Sequence, residues 1–155
     1  MTEYEVLLKS VEPVRVAGIR RVISKYQAIG PVFAELCQHL QENFIKPVGP
    51  GIAIWYEPEF KEHDVDAEAA IPVHATTIAS SDVTVHELPD VRLMACTFHR
   101  GSFDKLPAAY TAVGDWMRSN DYKVVGPIRE VYVEMDEDGS PNNYLTEIQF
   151  PVVKL

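Results

Sequence analysis

The chain is one unit written twice. Residues 14–57 align with residues 91–134 at an offset of 77, and eight pairs in that block are identical: Val14/Val91, Arg15/Arg92, Asn43/Asn120, Lys46/Lys123, Val48/Val125, Gly49/Gly126, Pro50/Pro127 and Glu57/Glu134. Others keep chemical type, including Tyr26/Phe103, Phe33/Tyr110, Leu36/Val113, Leu40/Met117 and Trp55/Tyr132. After a two-residue length difference the match resumes, with Glu68-Ala-Ala-Ile-Pro-Val73 meeting Glu147-Ile-Gln-Phe-Pro-Val152. Such a duplication predicts two like substructures related by a pseudo-two-fold axis, with a cleft where they meet.

Each copy reads as a strand-helix-strand-strand repeat. Residues 5–10 and 14–24, and again 83–88 and 91–100, are rich in the Val and Ile that strands favour. Val32, Phe33, Leu36, Cys37, Leu40 and Phe44 recur at helical spacing after Pro31, as do Leu106, Tyr110, Val113 and Met117 after a start at Ser102 or Asp104. Pro/Gly breaks follow, and then two hairpins: residues 52–56 with 65–73 around an acidic loop, and 128–135 with 144–152 around the turn-rich stretch 136–143. One helix cannot cover a long sheet alone, so the expected class is α+β, a curved antiparallel sheet with both helices on one face and the cleft between the repeats. The joint at 75–83 has no Gly/Pro/Ser bias, which favours one domain over 1–155 with pseudo-repeats at about 1–74 and 83–155.

Charge narrows the partners. A net charge of −9 argues against direct nucleic-acid binding, which needs a clustered basic surface. The basic residues Arg15, Arg20, Arg21 and Lys25 read better as the solvated face of a strand. No basic-then-apolar leader is present, and no apolar run approaches the ~18 residues that span a bilayer, so a cytoplasmic protein is expected. Cys37 and Cys96 read as buried reduced thiols. The five histidines lack metal-ligand spacing, and no phosphate loop or nucleophile motif occurs, so no metal and no cofactor are expected.

Alternation on the last strand sends Thr146, Ile148 and Phe150 to one face and Leu145, Glu147 and Gln149 to the other. Glu147 is either a solvated strand residue or a site carboxylate. Its repeat mate Glu68, also before a Pro-Val, favours the second reading. The neighbouring strand carries Glu130, Tyr132 and Glu134 on one face. A carboxylate beside aromatic rings suits a cationic or polar ligand. Trp55, the mate of Tyr132, and Tyr110, on the apolar helix stripe, are each candidates for core packing or for ligand contact. Phe103 precedes its helix, where it can border a cleft.

Together these residues resemble the GyrI-like small-molecule-binding family, also met as the effector-binding domain of AraC-type and MerR-type regulators. The resemblance rests on His99-Arg-Gly-Ser-Phe103, on Tyr110 and Trp116 in the helix, on Gly126-Pro-Ile-Arg-Glu-Val-Tyr132 and on Thr146-Glu-Ile-Gln-Phe-Pro-Val152. It implies a ligand pocket between the halves in which Glu147 meets a cationic, multidrug-type ligand among Tyr132, Trp55, Phe103 and Tyr110, with Glu68 as the first copy's counterpart. The first strand starts near Glu3 and leaves no room for a helix-turn-helix, so a stand-alone member is expected. The resemblance carries two alternatives. One is hydrolysis of cyclopropane-containing genotoxins, with Glu147 activating water and Tyr132 donating to the carbonyl. The other is a DNA gyrase inhibitor-like interaction with a protein partner that no surface feature specifies.

Overall fold

The computed structural model describes residues 4–57, 59–135 and 140–155. The chain start near Glu3, Pro58 of the acidic loop and residues 136–139 of the expected turn lie outside them. The chain forms two compact units, one of residues 12–90 and one of residues 1–11 with 91–155. The boundaries therefore do not follow the sequence repeats, because each repeat gives its first strand to the other copy's unit.

In the unit of residues 12–90, β3 (Ile52–Trp55), β4 (Val65–Pro72), β2 (Val14–Ile23) and β5 (Thr84–Leu88) form an antiparallel sheet in that order. In the other unit the order is β1 (Leu7–Val11), β6 (Val91–Arg100), β9 (Leu145–Lys154) and β8 (Ile128–Glu134). A short strand that the sequence reading missed, β7 (Tyr122–Val124), pairs with the end of β9. The class is α+β, as expected. No helix among the described residues is long and apolar enough to cross a membrane.

Each unit carries one 14-residue helix, α1 (Ile29–Glu42) or α2 (Leu106–Ser119), so the two helices keep the 77-residue offset end to end. Both finish the same way. The Asn43 and Asn120 side-chain amides donate to the His39 and Trp116 carbonyls at 2.9 Å, using acceptors that a helix end leaves open. The next residues, Phe44 (φ 56°) and Asp121 (φ 60°), turn left-handed and stop the helix.

Helical spacing correctly gave the inner residues Val32, Leu36 and Leu40, and Leu106 and Val113. It misplaced two others. Phe44 lies beyond the left-handed stop and is 96% exposed, and Cys37 lies on the flank of the stripe and is exposed, whereas Cys96 is buried as expected. Pro31 is the third residue of α1, within the turn whose N–H groups have no helical partner.

Candidate functional site

Residues paired directly across a ladder share a face, so the register sorts the strand side chains. In the unit containing α2, Glu130 pairs with Ile148, Tyr132 with Thr146, and Thr146 with His99. This face is the one α2 covers, since Tyr110 of α2 reaches both Glu130 and Phe150 from it.

Glu130 is a buried acid, 6% exposed, and burying a carboxylate is costly unless hydrogen bonds compensate. Two phenols do so. Tyr132 donates to Oε1 at 3.0 Å and Tyr110 donates to Oε2. Burial first, then the charge and hydrogen bond of Glu130, push the Tyr132 phenol well above its usual pKa, so it stays a neutral donor. Further rings adjoin these two phenols: Phe103 stands edge-on to Tyr132 at 5.6 Å and packs on Tyr144 at 5.1 Å, while Tyr110 stands edge-on to Phe150 at 5.6 Å. Such an arrangement offers a cation both a carboxylate and aromatic faces.

Three expected site residues, Tyr132, Phe103 and Tyr110, thus come together. Their carboxylate is Glu130. Glu147 pairs with Val131 and Phe98, one residue out of phase with Tyr132, and so points to the opposite face of the sheet. There it is 5% exposed, 2.6 Å from Lys9 Nζ through Oε2, and accepts from Gln149 Nε2 at 2.9 Å through Oε1. Glu134 does not stay on the Tyr132 face either: the register shifts after Tyr132, placing Glu134 opposite Leu145, where it pairs with Arg100 at 2.6 Å.

The other unit repeats this division. Trp55 pairs with Ala67, is 5% exposed, and stands edge-on to Tyr26 at 5.2 Å, as Tyr132 does to Phe103. Glu68 pairs with Ile54 and Arg20, out of phase with Trp55, and is 2% exposed. It accepts from Tyr56 at 2.5 Å and bonds His86 Nε2 at 2.6 Å. Burial and the Glu68 bond push the Tyr56 phenol upward. Arg20 lies over the Tyr56 ring at 3.6 Å and grips Asp66 through two hydrogen bonds.

The copies differ at this cluster. At the repeat offset, Glu130 corresponds to Ala53, which is fully buried, and Tyr110 corresponds to Phe33. Glu130 and its two phenols therefore have no counterparts at the matching positions Ala53, Phe33 and Trp55 of the first copy. Glu130 was visible in the sequence as the residue two before Tyr132 on one strand face. Only the ladder register tells that Glu130, rather than Glu147, shares the face of Tyr132.

Among the described residues, Glu35, His39 and Asp82 place three potential metal donors within 4.8 Å of one another. Sequence spacing gave no sign of this group because Asp82 comes from another segment. Glu35 is already engaged by Arg21 at 2.7 Å.

Compared with protein families, residues 4–153 match the GyrI-like small molecule binding domain. The chain belongs to this family. Among solved structures, this GyrI-like domain is similar to the EcmrR C-terminal domain, with TM-score 0.88 and 21% identity over 99% of this chain and 100% of that one. It matches the EcmrR chain in an EcmrR–DNA complex with TM-score 0.87 and 21% identity, covering 98% of this chain but 58% of that one. A hydrolase from Listeria innocua has TM-score 0.64 and 12% identity over 96% of this chain and 92% of that one. SAV2435 bound to tetraphenylphosphonium has TM-score 0.62 and 15% identity over 96% and 94%. At such identities the likeness concerns the fold. Among curated protein sequences, none matches this GyrI-like domain.

Proposed function

We propose that this GyrI-like domain binds a hydrophobic, cationic small molecule, with Glu130 as the counter-charge and Tyr110, Tyr132 and Phe103 as the surrounding rings. The observation that carries the reading is a buried carboxylate held by two phenols inside an aromatic cluster. Cation–π contacts in a desolvated site contribute on the order of 0.5–2 kcal/mol each, and the carboxylate selects charge. The family match runs through both compact units, which supports their acting as one ligand-binding domain. That SAV2435, of similar fold, is bound to tetraphenylphosphonium makes this cation a suitable probe.

The hydrolase alternative pairs Glu147 with Tyr132, whose side chains face opposite sides of the sheet. Any such chemistry on the aromatic face would use Glu130 instead. Calorimetric titration with tetraphenylphosphonium and with the neutral triphenylphosphine oxide tests the reading. Tenfold or greater preference for the cation is expected. Equal affinity for the two would remove the carboxylate from ligand selection, and turnover of a cyclopropane-bearing alkylator that Glu130→Gln abolishes would make the domain an enzyme.

A further inference from the structure

We infer that His99 is a positioning residue of the Glu130 site, that it holds the turn carrying Phe103, and that Tyr4 fixes the tautomer in which it does so. The inference rests on the Glu130 cluster being the ligand site.

His99 is 3% exposed and pairs across the ladder with Thr146, which pairs in turn with Tyr132, so the three form one row on the aromatic face. Its Nε2 lies 3.0 Å from the Ser102 carbonyl oxygen. A carbonyl can only accept, so Nε2 carries the proton and donates. Its Nδ1 lies 2.8 Å from the Tyr4 hydroxyl. In a neutral ring that atom is the acceptor, so Tyr4 donates to it, and its ring stacks at 6.0 Å. Were the proton on Nδ1, two lone pairs would face each other at Ser102 and the turn would lose its anchor. The far side of the turn is tied by Gly101, whose amide donates to the Tyr144 carbonyl at 2.9 Å and whose φ of +127° suits glycine. Phe103, at the end of this turn, then meets Tyr132 and Tyr144.

The described residues of the first copy show no such device. In the row of Trp55 and Ala67 the place of His99 is taken by Arg21, which bonds Glu35 instead. The relay accompanies the copy that holds the acid. It also links the site to the N-terminal segment, which a second bond, from Thr97 Oγ1 to the Glu5 carbonyl at 2.8 Å, fixes without touching His99.

The test uses the full chain, tetraphenylphosphonium as probe, and Tyr4→Phe, Thr97→Val, His99→Leu and Glu130→Gln. Two-dimensional NMR of 15N-histidine-labelled protein should give His99 as the Nε2–H tautomer, with Tyr4→Phe admitting the other form. Tyr4→Phe should weaken binding about threefold or more and His99→Leu at least tenfold, whereas Thr97→Val should leave affinity unchanged. If His99→Leu does not fold, Tyr4→Phe and the tautomer decide alone. An Nδ1–H tautomer in the wild type, or Tyr4→Phe binding like wild type while Glu130→Gln loses binding, overturns the role of His99 and leaves the site standing. Unchanged binding in Glu130→Gln overturns the site, and this inference with it.

Discussion

Glu68 lies across the bare Cα of Gly18 so closely that a Cβ there would come within 2.0 Å of Oε2 and 2.9 Å of Cδ. That oxygen is the end of a flexible side chain, but His86 holds it at 2.6 Å and Tyr56 holds Oε1 of the same carboxylate at 2.5 Å, so the carboxylate cannot move without giving up both partners. Gly18→Ala is therefore expected to cost about 1–3 kcal/mol, the range for stranding a buried polar group. Urea denaturation checks this. In a Glu68→Ala background the same substitution should cost well under half as much, and an equal cost in both backgrounds would mean that Glu68 is not the obstruction.

Lys9 and His86, which the repeat offset makes mates, each supply the nitrogen nearest the buried glutamate of the other copy: Lys9 to Glu147 and His86 to Glu68. The exchange of first strands brings this about. Breaking a fully buried pair costs ~3–5 kcal/mol. The Lys9 side chain is 42% exposed, so Lys9→Met is expected to cost only about 1–2 kcal/mol. Adding Glu147→Gln should recover part of that loss in a double-mutant cycle. Additive losses would show that the contact carries no coupling.

The thiols should separate cleanly. Burial pushes the Cys96 thiol up to about 12, with the Glu147 charge adding to it, whereas Cys37 is exposed. Iodoacetamide at pH 8 should label Cys37 in the native protein and Cys96 only after unfolding. Because the folded thiol keeps its proton while an unfolded one titrates near 9.0, the contribution to stability is intact below that pH and declines as pH rises toward 12. Rapid native labelling of Cys96 would contradict its burial.

The duplication made the fold legible. The 77-residue offset predicted paired helices and hairpins, and the two helices end at the identical pair Asn43 and Asn120. The exchange of β1 and β5 was not readable, because a strand of five residues pairs equally well with either copy by pattern alone. Of the candidate residues, Tyr110, Tyr132 and Phe103 cluster, while Glu147 stands on the opposite face of the sheet from Tyr132. Alternation gives the relative phase of residues within a strand, but the phase between strands depends on register, and a slip of one residue inverts the face. Here it puts Glu130, and not Glu147, on the face of Tyr132.

The two acids give the most direct test of the account. Tetraphenylphosphonium affinity should be measured by titration for the wild type, Glu130→Gln and Glu147→Gln, with thermal denaturation confirming that each is folded. Glu130→Gln is expected to weaken binding at least tenfold, about 1.4 kcal/mol, while Glu147→Gln stays within about twofold. Loss of binding in Glu147→Gln with Glu130→Gln unaffected would contradict the account and move the site to the opposite face of the sheet.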